Sequence, residues 1–180
     1  MKKLLLFFVL AVSAIAGPLS GKRVASFTLP DATGKYYDVL DFRGKVLLID
    51  IMRTECPHCQ TLSRTLERVK EKYGNRIAVL SVVNPPYTPQ TVADYIAKYK
   101  VTNPVLFDFG TATGAMLKIT PQNPSINLPT LLIVDARGIV RGDLTYSDSE
   151  KASFEEEGLC ALIDKAMGGA APAAAPAKKK

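Results

Sequence analysis

Residues 45–52, KVLLIDIM, form a near-continuous apolar run, and this run limits the folds that the chain can adopt. A strand in which successive side chains are apolar is buried on both faces, as the central strands of parallel or mixed sheets are. A second run of this kind, residues 77–83, follows a segment with helical spacing. Because both faces of such a sheet must be covered, the chain is predicted to be an α/β protein with helices on both sides of a central sheet.

The segments around these two strands predict the remaining elements. Residues 24–44 predict an N-terminal β-hairpin extension, and residues 135–138 (DARG) predict the turn of a closing hairpin. The predicted helices cover residues 57–73, 89–100, 113–119 and 153–167, and the further strands cover residues 104–107, 131–134 and 139–146. Strands that alternate with helices are parallel, whereas the closing hairpin adds antiparallel strands, so a mixed β-sheet is expected.

Both ends of the chain differ in composition from the middle. Residues 1–16 are typical of a cleaved secretory signal peptide, because Lys2 and Lys3 precede a short apolar run and the small-x-small pattern ending at Ala16. An uncleaved N-terminal anchor is the alternative. Residues 168–180 are rich in Ala and Pro, end in three lysines and are predicted to be disordered. A single domain is expected at residues 17–167, in the periplasm or outside the cell, where disulfides persist.

The net charge of +6 comes almost entirely from these two ends. Without their five lysines, 18 basic residues face 17 acidic ones. The high isoelectric point therefore gives no reason to expect a nucleic-acid partner, and the lysine tail suggests at most a peripheral contact with an anionic membrane. A monomer is expected.

Two of the three cysteines, Cys56 and Cys59, lie only two residues apart. A zinc site needs further Cys or His ligands, but Cys160 is distant and His58 is the only histidine, so no metal site is predicted. A purely structural disulfide closes a very short loop and stabilises little. The third interpretation is a redox-active dithiol.

The position of the pair favours the dithiol. It follows the buried strand directly and opens the next helix, with Cys56 near the N-cap, Pro57 at the first helical position and Cys59 in the first turn. The free N–H groups and the dipole of the helix favour a thiolate at Cys56. Cys56 is therefore predicted to be the exposed attacking sulfur, and Cys59 the shielded sulfur that resolves the mixed disulfide.

Four stretches of the chain resemble the thioredoxin-like superfamily, and within it the TlpA/ResA-type, AhpC/TSA-like periplasmic thiol–disulfide oxidoreductases. They are FTLPDATGK (27–35), FRGKVLLIDIM (42–52), ECPHCQTL (55–62) and LPTLLIVDARGIVRG (128–142). The resemblance implies a thioredoxin fold, disulfide exchange with protein thiols and with a redox partner protein, and no cofactor. It also implies a cis peptide bond before Pro129, and substrate binding by β-pairing at Leu128, Pro129 and Thr130.

Three further residues are expected to tune the site. Asp50 is the only charge in the central strand, where the superfamily carries a buried acid, so its pKa should be raised and it could accept the proton of Cys59. The alternative is a solvated acid or one paired with Arg53. The Pro-His pair resembles that of DsbA-type oxidases, and His58 can stabilise a Cys56 thiolate, whereas the charge of Glu55 opposes it. These opposing effects leave the direction of electron flow open.

Two rival functions are weighed against the oxidoreductase. A peroxiredoxin-like peroxidase is expected to show a Pro-x-x-x-Thr-x-x-Cys pattern, but Thr54 is only two residues before Cys56 and the proline is missing. A non-catalytic metallochaperone or binding module on the same fold is the other. Cys160 is expected to be a small buried hydrophobic residue, with a third redox partner as the alternative.

Overall fold

The computed structural model describes residues 17–122 and 124–168 of the 180-residue chain. The predicted signal peptide, residues 1–16, lies outside the described residues, and so does the predicted tail apart from Gly168. Both terminal assignments therefore stay predictions. In the described part of the chain, no helix is long and apolar enough to cross a membrane.

The described residues form seven strands and five α-helices. The strands are β1 (Thr28–Pro30), β2 (Tyr36–Asp38), β3 (Val46–Met52), β4 (Ile77–Val83), β5 (Val105–Phe107), β6 (Thr130–Val134) and β7 (Val140–Thr145). The helices are α1 (Pro57–Tyr73), α2 (Pro89–Tyr99), α3 (Thr111–Leu117), α4 (Lys151–Phe154) and α5 (Glu156–Gly168). Short 3₁₀ turns at Val39–Phe42 and Gly74–Arg76 precede β3 and β4.

Five of the strands form one mixed sheet in the order β5-β4-β3-β6-β7, with β3 at its centre. Strand β3 is parallel to β4, and β4 is parallel to β5, whereas β6 pairs antiparallel with β3 and with β7. Strands β1 and β2 form a separate antiparallel hairpin. The mixed sheet and the N-terminal hairpin that the sequence predicts are therefore confirmed.

Every residue of β3 is buried, because apolar layers cover both faces of the sheet. One layer, the α1/α5 core, lies under helices α1 and α5; its members include Val46, Leu48, Leu66, Leu144, Leu159 and Ile163. The opposite layer, the α3 core, lies under α3 and the N-terminal segment; its members include Val24, Leu47, Ile49, Ile51, Met116 and Val140. Since side chains alternate along a strand, Asp50 faces the same side as Leu48 and Met52, beneath α1.

The last predicted helix is wrong in one respect: two helices replace it. Glu155 has an extended backbone (ψ 159°) that ends α4 before α5 begins. Gly158 of α5 lies directly against the backbone of Ala152, where a Cβ atom would overlap the carbonyl oxygen. The predicted helix at residues 113–119 also begins two residues earlier, because the Asp108 carboxylate accepts hydrogen bonds from the N–H groups of Ala112 and Thr113.

The close contact at Gly158 predicts a specific cost for adding a methyl group. Gly158→Ala should lower the free energy of unfolding by about 1–3 kcal/mol, because α4 and α5 must move apart. Gly114→Ala is the matched control, since a Cβ there meets open space inside α3 and should be neutral or stabilising by up to about 1 kcal/mol. Urea denaturation measures both changes, and equal stability of the two variants would contradict the contact.

Candidate active site

The two cysteines of the CPHC motif lie where β3 gives way to α1. Cys56 is the N-cap of α1 with an extended backbone (φ −74°, ψ 116°), and Pro57 occupies the first turn. The Sγ of Cys56 accepts a hydrogen bond from the backbone N–H of Cys59 at 3.3 Å. A thiolate at Cys56 would therefore be stabilised by a helix N-terminal donor and by the positive end of the helix dipole.

The two sulfur atoms differ in their access to solvent. Cys56 is half-buried, whereas the side chain of Cys59 is 0% exposed. Burial raises the pKa of the Cys59 thiol well above its ordinary value, and the nearby charge of Asp50 raises it further. Both cysteines are free thiols. Cys59 therefore keeps its proton until a base accepts it, while Cys56 can be reached by a substrate.

Asp50 is completely buried in the middle of β3. Its Oδ2 accepts a hydrogen bond from the Ser81 hydroxyl at 3.3 Å, whereas its Oδ1 has no partner among the described residues. Burial raises the pKa of Asp50 to about 7, and the Ser81 hydrogen bond limits that rise. No ion pair to Asp50 is present in the described part of the chain. The raised pKa agrees with the prediction, and the alternatives of a solvated acid or a pair with Arg53 are wrong.

The loop before β6 faces the cysteines. The Leu128–Pro129 peptide bond is cis, as predicted. The Cys56 thiol donates to the carbonyl oxygen of Leu128, with 3.7 Å between sulfur and oxygen. Among the described residues, the backbone N–H of Leu128 has no hydrogen-bond partner. Leu128 thus presents a backbone donor and acceptor beside the Cys56 sulfur.

The neighbours of Leu128 have their backbone groups already engaged. Pro129 lacks an N–H, and its carbonyl oxygen accepts from the N–H of Tyr146 at 3.0 Å. Thr130 lies between Ile51 of β3 and Thr145 of β7 in the sheet register. Of the three residues predicted to pair with a substrate strand, only Leu128 is therefore available for it.

His58 and Glu55 are both exposed, and each contacts a side chain other than Cys56. The His58 ring stacks on Tyr146, with ring centroids 4.0 Å apart and an angle of 21° between the planes. The Glu55 carboxylate accepts a hydrogen bond from the Thr54 hydroxyl at 3.0 Å. Tyr146 in turn packs edge-on against Phe154, with centroids 5.4 Å apart. The imidazole between the two cysteines is therefore held by residues from the far end of the chain.

Sequence reasoning missed Tyr146 and Ser81. Ser81 lies directly opposite Asp50 in the parallel pair β3–β4, so a register drawn from the two apolar runs could have found it. Tyr146 follows β7, and only the exact pairing of β6 with β7 brings it to His58. No local motif marks either residue.

The structure places the remaining candidates away from the dithiol. Cys160 is buried in the α1/α5 core, as a small hydrophobic residue would be, and its carbonyl oxygen accepts from the Tyr73 hydroxyl. Residues 125–127, which precede the Leu128–Pro129 bond, form one wall of a cleft of about 690 Å³ that also reaches Thr130 but does not include the cysteines. Across residues 17–122 and 124–168, no three His, Cys, Asp or Glu side chains are grouped closely enough to hold a metal.

The sequence of the chain matches a family model and several known proteins. The model of the AhpC/TSA family matches residues 20–142. The thioredoxin-like protein YneN of Bacillus subtilis is 23% identical over 143 residues, which cover 78% of this chain and 79% of YneN. The thiol-disulfide oxidoreductase ResA of Bacillus cereus is 25% identical over 136 residues, which cover 76% of this chain and 75% of ResA.

Solved structures share the fold at low sequence identity. A putative thiol:disulfide interchange protein DsbE from Chlorobium tepidum superimposes with a TM-score of 0.65 at 20% identity, over 80% of this chain and 97% of that protein. A secreted disulfide oxidoreductase of Mycobacterium tuberculosis, homologous to DsbE of Escherichia coli, gives a TM-score of 0.64 at 16% identity, over 77% and 95% of the two chains.

The thioredoxin fold predicted from the sequence is thereby confirmed, as is the resemblance to TlpA/ResA-type proteins. A half-buried but accessible thiol at a helix N-terminus, a buried partner thiol and a backbone carbonyl against the first sulfur are the features that such an enzyme requires. The chain belongs to the AhpC/TSA family and is a thioredoxin-like thiol–disulfide oxidoreductase.

Proposed function

We propose that the chain exchanges disulfides with cysteines of other proteins, with Cys56 as the attacking sulfur and Cys59 as the resolving sulfur. The observation that carries the proposal is the asymmetry of the pair. Cys56 caps α1 through its Sγ and is half-buried, whereas Cys59, one helical turn later, is fully buried. Only one of the two sulfurs can meet a substrate, and the other is placed to release it.

In the first step of substrate reduction, the Cys56 thiolate attacks one sulfur of a substrate disulfide. A bond forms between the Cys56 sulfur and that substrate sulfur, the substrate disulfide breaks, and the other substrate sulfur leaves as a thiolate. The N–H of Cys59, 3.3 Å from the Cys56 sulfur, stabilises the thiolate before the attack. Oxidation of a substrate dithiol is the same sequence in reverse.

In the second step, Cys59 attacks the Cys56 sulfur of the mixed disulfide. The thiol proton of Cys59 passes to Asp50, a new disulfide joins the two protein sulfurs, and the second substrate sulfur leaves as a thiolate. Asp50 suits this role because its pKa is raised to about 7 and its Oδ1 has no other partner among the described residues. The protein is left with a Cys56–Cys59 disulfide and a proton on Asp50, and the two substrate thiolates take up protons from solvent.

Leu128 is the residue that would hold the substrate next to Cys56. Its free N–H and its carbonyl oxygen are the backbone groups that an added strand uses for pairing. Because that recognition involves main-chain atoms, it favours an extended polypeptide as the substrate. The cleft of about 690 Å³ is lined by Asn127 and Thr130, the residues on either side of Leu128 and Pro129.

The rival functions gain no support from the site. The Thr54 hydroxyl donates to Glu55, so it does not serve Cys56 as the threonine of a peroxidase motif would. A binding module would not need a buried acid beside a buried thiol, since both reduce stability. Disulfide exchange uses both.

The midpoint potential of the Cys56–Cys59 pair decides whether the chain reduces or oxidises its substrates. Donors to the Cys56 thiolate stabilise the dithiol form and make the disulfide more oxidising. A potential near the value of about −270 mV for thioredoxin assigns a reductant, whereas one near the value of about −120 mV for DsbA assigns an oxidant. A titration in glutathione or dithiothreitol buffers measures it.

The proposed location is outside the cytoplasm, either the periplasm or the medium. The support is the signal-like segment at residues 1–16 and the likeness of the fold to a secreted disulfide oxidoreductase. The partners proposed are protein thiols or disulfides and a redox protein that restores the starting state. The domain acts as a monomer, and its lysine tail contacts a membrane at most peripherally.

Serine substitutions test the roles of the two sulfurs. Cys56→Ser should abolish insulin reduction or dithiol oxidation, because the attacking atom is gone. Cys59→Ser should still attack but accumulate mixed disulfides, which mass spectrometry of trapped partners identifies. Cys160→Ser is the control and should retain activity, since Cys160 lies in the α1/α5 core. Full turnover by Cys56→Ser would refute the proposed function.

A neutral residue at position 50 should slow the second step. In Asp50→Asn the Cys59 proton has no acceptor, so the mixed disulfide should resolve on the order of 10²-fold more slowly near pH 7, while the attack by Cys56 is little changed. Stopped-flow measurement with a fluorescent peptide disulfide separates the two steps. An equal slowing of both steps would contradict the assignment of Asp50 as the acceptor for Cys59.

The same substitution should change how stability depends on pH. The pKa of Asp50 is about 7 in the folded chain against about 3.9 when unfolded, so the folded state binds more protons between these values. Stability should therefore fall as pH rises from about 4 to 7. Asp50→Asn should remove this pH dependence. Its free energy of unfolding should exceed that of the wild type by on the order of 4 kcal/mol at pH 8 and equal it at pH 4. Urea denaturation measures it, with the exposed Asp148→Asn as control.

A further inference from the structure

A chain of hydrogen bonds leads from Asp50 across the sheet to the far end of α1. The Oδ2 of Asp50 accepts from the Ser81 hydroxyl at 3.3 Å, and the Ser81 oxygen accepts from the Nδ2 of Asn103 at 3.0 Å. The Oδ1 of Asn103 accepts from the Nζ of Lys70 at 3.3 Å. The four residues come from β3, β4, the α2–β5 loop and α1, so only the tertiary fold assembles the chain.

The partners of Asn103 fix the direction of every bond in this chain. The Lys70 ammonium can only donate, so the amide oxygen must face it. The Nδ2 also donates to the carbonyl oxygen of Pro104 at 3.2 Å, and a carbonyl can only accept. The amide therefore donates to Ser81, which leaves the Ser81 hydrogen for Asp50. All donors point from the cation toward the buried carboxyl group.

The cationic end of the chain is held in place. Lys70 forms an ion pair with Glu67 at 2.8 Å, and the two side chains are only 20% and 19% exposed. The backbone N–H and the hydroxyl of Thr102 both donate to the same Glu67 carboxylate at 2.8 Å. The ammonium is thus fixed between α1 and the loop that carries Asn103.

We propose that Lys70, Asn103 and Ser81 are positioning residues of the dithiol site. They orient and polarise hydrogen bonds that end on Asp50, and so set how readily Asp50 accepts the Cys59 proton. The inference rests on the proposed role of Asp50 in disulfide exchange. It extends the site to the far end of α1, beyond any residue that contacts the cysteines.

When Asp50 is ionised, the hydrogen bonds from Ser81, Asn103 and Lys70 are the main interaction that stabilises its charge. The titratable groups that interact with Asp50 from the packed helices are Cys59 on α1 and Tyr95 on α2. Burial raises the pKa of both and keeps them neutral, and a neutral thiol or phenol supplies no positive charge. Leu131 of β6 lies opposite Asp50 on the other side. A hydrogen bond to an ionised carboxylate favours the ionised form, and a chain of such bonds strengthens each member.

The titration of the Asp50 carboxyl group, followed by ¹³C NMR in the reduced protein, tests the proposal. Ser81→Ala removes the direct donor and should lower the acid dissociation constant of Asp50 roughly tenfold. Lys70→Met removes the cation at the far end and should lower it roughly twofold. Lys72→Met is the matched control, because it removes the same charge from the same turn of α1 and should have no effect.

A double-mutant cycle shows whether Lys70 affects the titration of Asp50 through the hydrogen bonds of Asn103 and Ser81. If it does, Lys70→Met should have no further effect in the Ser81→Ala background, because the connection is already broken. The pH profile of the rate at which Cys59 resolves the mixed disulfide should also shift, with the larger shift in Ser81→Ala and the smaller one in Lys70→Met. A merely structural role would not move that pH profile.

Three results would overturn the proposal: no shift for Ser81→Ala, an equal Lys70→Met effect in both backgrounds, or an effect of Lys72→Met as large as that of Lys70→Met. If Ser81→Ala does not fold, Asn103→Ala takes its place in the cycle. Asn103 is half-buried, and its replacement interrupts the same series of hydrogen bonds between Lys70 and Asp50. The NMR titration needs no substrate, so its outcome is separate from the insulin assay that tests the proposed function.

Discussion

The burial of one carboxyl group in the central strand is the constraint around which this site is organised. Asp50 lies in β3 between two paired strands and beneath a helical layer, so water does not reach it. An ionised acid there is costly, and an apolar residue would make the strand more stable. Beside Asp50 is Cys59, a thiol that burial keeps protonated. Because both groups are buried and hard to ionise, they can transfer a proton to each other, whereas neither can exchange it directly with solvent.

The parts of the fold that follow from local signals were predictable. The apolar runs predicted β3 and β4 within one residue, because a strand buried on both faces has no polar alternation to blur its ends. Thr88 with Pro89 marked the start of α2, where the structure shows a capping box, and Gly74 marked the end of α1. The N-cap position of Cys56 follows from the same kind of signal. Each of these depends on residues only a few positions apart.

The parts that depend on the register of β6 with β7, or on other long-range contacts, were not predictable. Arg141 is an extra residue in β7, since Val134 pairs with Val140 but Ile133 pairs with Gly142. This bulge moves later residues to the opposite face, as Val140 packs in the α3 core but Leu144 in the α1/α5 core. Tyr146 thereby reaches His58. The break between α4 and α5 and the contact of Lys70 with Asn103 are likewise long-range features that no short sequence pattern encodes.

The redox behaviour of the dithiol is therefore not contained in the four residues of its motif. His58 lies between the cysteines, yet its ring rests on Tyr146, whose position depends on the β7 bulge. The charge of Asp50 raises the pKa of Cys59, and Asp50 itself accepts a hydrogen bond from Ser81 on the neighbouring strand. The same CPHC sequence in another thioredoxin-like chain would meet different groups at each of these places. The motif determines which atoms exchange, and the packing around it determines at what pH and potential they do so.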